Sequence, residues 1–338
     1  MMRLLPLLAM CAAAATVVAQ APHRTKAGEP QRLRLYPKFA AGQTLYYQLD
    51  FRSKTSGSSV GLIANPQALK DVEISVSALV RLDVISVAPK TPQDGRPAVH
   101  MRTTYEKLAS TIRMDVPDAQ ADQLHDQIQR LEKKSLEFTI GADGKVSDIR
   151  GLEDIFPEQQ TALREWLKQI GFTASLPEEG IFPGLKWHSE PPAAAATPLT
   201  GLVWKDESSY LRDEPCHAVK LTAQGQAVQI PNPESCAVIL GALSLDETDK
   251  HSDRTPPEFR AKNLRTSGTM SGKGESLTYI SLATGLVVSV TQTSRQEMDV
   301  TVSLVNSDSS LHYRGRVETQ SQLSLVTDLA DAPVMPPQ

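Results

Sequence analysis

The sequence predicts an α+β protein made mostly of antiparallel β-structure, with curved, half-barrel-like sheets and a few covering helices. Three observations predict it. From Val72 to Val84 apolar and polar residues alternate with few errors, as a half-buried strand requires. Shorter alternating runs recur along the chain between Gly, Pro, Asn and Asp turns. The 23 prolines and 19 glycines suit many strands joined by turns better than a helical bundle.

The elements follow in order. Met1-Met2-Arg3, an apolar stretch from Leu4 to Cys11 and an alanine run ending Ala19-Gln20-Ala21 read as a secretory signal peptide over residues 1–21. A permanent span takes about 20 apolar residues, which this interrupted stretch does not supply. Leu8-Ala9-Met10-Cys11 has the outline of a lipidation signal. Met10 is bulky where a small residue is wanted, however, and the apolar run continues past Cys11, so cleavage near Ala19–Ala21 is expected instead. The expectation is a periplasmic or secreted protein whose mature chain has no integral membrane span.

A first β-rich domain is expected over residues 33–187. Leu33 to Tyr36 and Leu45 to Phe51 read as strands around a Gly42-Gln43 turn, followed by Val72–Val84 and Val99–Tyr105. Asp118 opens an amphipathic helix running to about residue 134, with Leu124, Ile128 and Leu131 at helical spacing and Lys133 and Lys134 at its end. Leu136 to Ile140, the Asp143-Gly144 turn and Val146 to Ile149 make a hairpin. A second helix is expected over 157–170, turning Leu163, Trp166, Leu167 and Ile170 inward. Residues 188–200, rich in proline and alanine, read as a linker or long loop. A second β-rich domain over 201–328 holds strands at Leu277–Ile280, Leu286–Val290, Val300–Val305 and Val317–Val326, and a flexible tail over 329–338 ends the chain. Ser135-Leu136-Glu137-Phe138 aligns without gaps on Ser276-Leu277-Thr278-Tyr279, and the same offset carries Gly144 onto Gly285 and Val146 onto Val287. Two readings are open here: two tandem related β-domains, or the likeness of any two hairpins.

Composition excludes some partners. The net charge is -4 with no basic face in the sequence, so a nucleic-acid partner is not expected. Aromatic residues make up 5% of the chain, which weighs against a stacked-ring carbohydrate platform. With the leader removed, Cys216 and Cys236 remain. They are either a disulfide or two buried free thiols, and an even count in an exported chain favours the bridge.

Gly42, Leu45 and Tyr46 lie in Gly-x-x-Leu-Tyr-Tyr, which contains Gly-x-x-Leu-x-Tyr, Phe138 to Ile149 form a strand–Gly–strand unit, and Leu176-Pro177 is followed by Gly184-x-x-Trp187. This pattern resembles a bacterial exported family of unknown function. More distantly, the layout is similar to half-barrel lipoprotein carriers of the LolA and LppX type. The resemblance spans residues 33 to 326 and rests on turn and core signals. It implies a sheet curled around an apolar groove and an apolar ligand, and it carries no catalytic residues.

Gly57-Ser58-Ser59-Val60-Gly61 spells a Gly-x-Ser-x-Gly elbow, which needs a buried strand before it and a helix after it. Arg52 to Ser56 is polar, so the motif reads as a flexible loop. Gly268 and Gly272-Lys273-Gly274 read as a loose turn without the following helix a phosphate loop needs. The seven histidines show no ligand spacing; His125 is expected on the solvent face of the first helix and His251 in a solvated loop. No cofactor or metal is expected. Trp187 and Trp204 flank the Pro/Ala stretch and are candidates for a groove mouth or partner surface, or else core anchors.

The leading expectation is a non-enzymatic exported binding protein for an apolar small molecule or an envelope component. One alternative is a structural or assembly module contacting a protein partner. The other is a hydrolase using Glu178 and Glu179 or Ser59.

Overall fold

A computed structural model describes residues 32–61, 71–89, 97–114, 118–142, 146–151, 176–189, 198–222, 227–247 and 253–328. The leader with Cys11, the Asp143-Gly144 turn, the helix expected over 157–170, most of the Pro/Ala stretch, His251 and the tail lie outside the described residues.

Long alternating strands dominate because residue types separate by parity along them. β1 (Thr44–Gly61), β2 (Val72–Val87) and β3 (Val99–Met114) form a meander that continues through α1 (Asp118–Gln129) into β4 (Ser135–Ile140) and β5 (Val146–Arg150). A second meander contains β6 (Lys186–Ser189), β7 (Leu202–Leu221), β8 (Ala227–Glu247), β9 (Leu264–Ser281), β10 (Val287–Leu304) and β11 (Ser310–Asp328). The described strands make one 11-stranded sheet in the order β5-β4-β3-β2-β1-β11-β10-β9-β8-β7-β6. The first meander thus runs outward from β1 and the second outward from β11. The two are joined by antiparallel β1–β11 pairing from Tyr46↔Val326 to Gly61↔Leu311. At about 3.3 Å per residue, the 18 residues of β1 span roughly 60 Å.

The sheet has two faces and, along its strands, two ends. At the near end, where β1 begins, the core face buries Tyr47, Leu82, Val84, Met101, Phe138 and Ile140 in one cluster. Ile181, Tyr210, Ala237, Ile239, Ile280 and Val287 form another. Residues 33–37 cross this face: Leu33 exchanges backbone hydrogen bonds with Ile181, and Lys38 N–H donates to the Thr284 carbonyl at 2.8 Å. Gly285, at φ 69°, turns β9 into β10 directly beneath the Tyr36 carbonyl, where any Cβ would collide with it. Helix α1 and the turn after it cover the same face farther along β3, with Ile128 of the helix and Leu131 of the turn packed on the cluster of Ala78, Val80, Tyr105 and Leu108.

The opposite face is closed differently. β7 and β8 run past the near end as a hairpin whose register breaks between Pro215 and His217, and between Pro231 and Ser235 on the partner strand. The tip leaves β9 there and reaches β11, pairing in parallel through Val326↔Val219 and Asp328↔Lys220. Val219 and Leu221 then bury against Leu79, Val326 and Tyr46.

Several expectations change at this level. Helix α1 ends at Gln129 rather than near residue 134, since Lys133 takes a left-handed φ of 62° and gives its N–H to the Tyr105 carbonyl. His125 faces β3, with Nδ1 2.8 Å from the Ser110 hydroxyl, not solvent. Gly57–Gly61 is the last stretch of β1, and Gly268 to Gly274 lies inside β9, so neither is a loop. Pairing with β11 holds Gly57–Gly61 extended, and pairing with β10, joined by β8 from Gly272 onward, holds Gly268–Gly274, with few large apolar side chains in either.

Candidate binding surfaces

Most of the candidate residues lie in this sheet. Ser59 sits in β1 opposite Tyr313 of β11, in regular antiparallel pairing. A nucleophile elbow needs the strand to end in a sharp turn at the serine, which this backbone does not make. Glu178 and Glu179 lie in the exposed turn between Pro177 and Gly180. Among the described residues no group of three or more His, Cys, Asp or Glu is placed to hold a metal ion.

Cys216 and Cys236 are bonded to each other. The bridge lies at the register break where the β7–β8 tip departs, fully buried with Ala218 and Val288 and flanked by Ile230, Tyr279 and Leu325. His217 meets Tyr279 edge to face at 5.7 Å, and the Tyr279 hydroxyl donates to Glu214 at 2.6 Å. That hydrogen bond, helped by Arg212, holds the Glu214 carboxyl below its usual range. Sequence reasoning identified the pair; that it fastens a bend is visible only in three dimensions.

The two tryptophans lie on the core face near the β6 edge. Trp187 packs against the Tyr210–Ile239 cluster opposite Ser208, and Trp204 extends its ring over Gly272 and against Leu245. Gly272 has no Cβ to obstruct the ring; one added there would lie 2.5 Å from it.

Beyond the near-end clusters the core face continues toward the far end as a half-buried stripe. It contains Phe51 of β1, Ile74 and Val76 of β2, Ile112 of β3, Val317 of β11 and Met298 of β10, with small residues such as Ser53, Ser294 and Gly274 between them. Helix α1 borders the stripe on β3 and the Trp204 edge borders it on β7.

The opposite face is charged along the same length. Arg295 pairs with Glu297, Arg316 with Glu297 at 3.3 Å, Arg52 with Glu73 at 2.6 Å, and Asp299 with both His312 at 2.6 Å and Arg314 at 2.7 Å. His312 and then Arg314 hold the Asp299 carboxyl below its ordinary value. Two hollows lie in line on this face. One of about 650 Å³ lies over β1, β11, β10, β9 and β8, and one of about 480 Å³ lies farther along β9, β10, β11 and β1. Sequence reasoning missed this surface, although charges at every second position, as in Arg314-x-Arg316-x-Glu318 and Arg295-x-Glu297-x-Asp299, signal it.

Comparison with known proteins adds little to this geometry. No family model matches the chain, and no curated protein matches it. Among solved structures, one of lipid–protein interactions in lipovitellin aligns with a TM-score of 0.43 and 11% identity over 89% of this chain and 27% of that one. The Pseudomonas putida toluene transporter TodX aligns with a TM-score of 0.12 and 7% identity over 84% of this chain and 89% of its own. The chain spans about a quarter of the lipovitellin chain's length. Both scores fall below the level at which two chains share a fold. Among the described residues no helix is long and apolar enough to cross a membrane.

Proposed function

We propose that this is a non-catalytic binding protein of an oxidising, extracytoplasmic compartment that holds an extended apolar molecule against its core face. One observation carries the reading. The apolar side chains of that face continue past the buried clusters, through Phe51, Ile74, Ile112, Val317 and Met298, and stay half-buried while belonging to none of those clusters among the described residues. A row of this kind, bordered by α1 and the Trp204 edge, suits a long apolar chain better than a compact polar substrate. The Cys216–Cys236 bridge supports the compartment, because disulfides persist where thiols are not kept reduced.

The experiment is native mass spectrometry of the purified chain, together with titration of a fluorescent fatty-acid probe against wild type, Phe51→Asp and Val317→Asp. A co-purified apolar molecule is expected, with binding about tenfold or more weaker in either variant, because each places a carboxylate on the contact surface. Protein that carries nothing and does not bind the probe, or variants that bind as wild type does, would sink the proposal. An assembly role has its own supporting observation: β6 pairs with only Asp206 to Ser209 of β7, and Val203 and Leu211 on either side of that span are exposed. Crosslinking in whole cells that captures a defined protein at Val203 or Leu211 would favour it.

A further inference from the structure

The larger hollow on the charged face contains an arrangement the sheet does not need for its own stability. One row of cross-strand partners runs Lys54 of β1, Glu318 of β11, Arg295 of β10 and Lys273 of β9. Arg295 and Lys273 are directly opposite each other, and like charges so placed repel and destabilise a sheet. Neighbouring acids relieve the row everywhere but at that pair: Lys54 lies across from Glu318 on one side and Glu73 on the other, and Lys273 has no carboxylate opposite it. Arg295 turns along its own strand to Glu297, and Glu318 lies 3.7 Å from Arg316. Among the described residues Lys54 and Lys273 make no ion pair. Arg52, Lys54, Lys273 and Arg295 line the hollow together with Glu275 and Glu318; Arg52 is taken up by Glu73 and Arg295 by Glu297, which leaves the two lysines as the cations without an ion pair. Thr293 and Gln320, in the adjacent row, add neutral donors.

We propose that this hollow binds a phosphate group, with Lys273, Arg295 and Lys54 supplying charge and Thr293 and Gln320 supplying hydrogen bonds. The ammonium groups of Lys54 and Lys273, which make no ion pair among the described residues, suit the near-dianionic charge of a phosphomonoester, and Arg295 adds a third cation beside Lys273. The bound anion screens the Arg295–Lys273 repulsion, so the one like-charge pair in the row becomes a source of affinity. This site lies on the face opposite the apolar stripe and stands independently of it.

The test is thermal unfolding in inorganic phosphate against chloride at matched ionic strength, which removes simple screening. Wild type is expected to show a saturable rise in Tm, about 2 °C at tenfold excess over Kd. Lys273→Glu should abolish that rise while raising Tm without phosphate, because it turns a repulsive cross-strand pair into an attractive one. Lys54→Gln should weaken the response while leaving the phosphate-free Tm near wild type. A parallel arm uses phosphatidic acid vesicles with phosphatidylcholine vesicles as control. Response to inorganic phosphate supports a free anion, and response to the acidic vesicles alone supports a lipid headgroup. Response to neither, or a Lys273→Glu protein that responds as wild type does, overturns the proposal.

Discussion

Tyr47 of β1 donates its hydroxyl to the backbone carbonyl of Val287 at the start of β10, 2.9 Å away and 240 residues along the chain. The contact crosses the seam between the two meanders inside the core, and burial pushes the phenol well above its ordinary pKa, so it stays protonated. Tyr47→Phe keeps the ring and removes the donor. The expected loss is about 1–2 kcal/mol, read as a lower urea midpoint with an unchanged slope.

The disulfide closes a loop with a sequence separation of 20 and anchors the bend from which the β7–β8 tip reaches β11. Reduction, or the double change Cys216→Ala and Cys236→Ala, should cost about 3 kcal/mol. Hydrogen exchange should rise first at residues 217–221 and 227–231, because the tip's burial of Val219 and Leu221 against Tyr46, Leu79 and Val326 depends on that bend. Uniform exchange across the sheet would refute this role.

Glu214 supplies a pH dependence with a definite sign. The Tyr279 hydroxyl, then Arg212, lower its folded pKa below the usual 4.5. The folded state therefore favours the ionised carboxylate. Its contribution is complete above the unfolded value and lost as pH falls through the folded one. Tm measured from about pH 6 to pH 3 should fall more steeply in wild type than in Glu214→Gln.

Trp204 and Gly272 make a packing prediction. A Cβ at residue 272 would lie 2.5 Å from the indole and 3.1 Å from Leu245 Cβ. Gly272→Ala should displace the ring, cost about 1–3 kcal/mol and red-shift part of the tryptophan fluorescence. An unchanged spectrum and unchanged stability would show that the ring does not rest there.

The parts of the fold legible in the sequence were those where one strand face is apolar and buried. Val72–Val84 was readable because its even-numbered residues from Val76 to Val84 fill the core while most of the odd-numbered ones carry polar groups, and the strand extends only to Val87. The far halves of β1 and β9 were not readable, because their core-face residues are small, such as Ser53, Gly57, Gly272 and Gly274, and their other face is charged. Apolar periodicity disappears there while charge periodicity persists, so from sequence such segments look like loops. The cysteine pair was legible by count and compartment. The Lys54–Glu318–Arg295–Lys273 row was not, since its members come from four strands spread over more than two hundred residues and only the register aligns them.

The adjacency of β1 and β11 also constrains the order in which the molecule can be completed. Thr44 leaves the ribosome long before Asp328, yet the edge of β1 facing away from β2 has no partner until β11 has been made. Until then a strand of about 60 Å presents unpaired backbone groups, a template for any neighbouring chain. Closing so distant a pairing is slow, and a chain stopped before Ser310 would keep that edge open permanently. Aggregation of truncated products, rather than their residual binding, is therefore the earliest sign of a lost C-terminus.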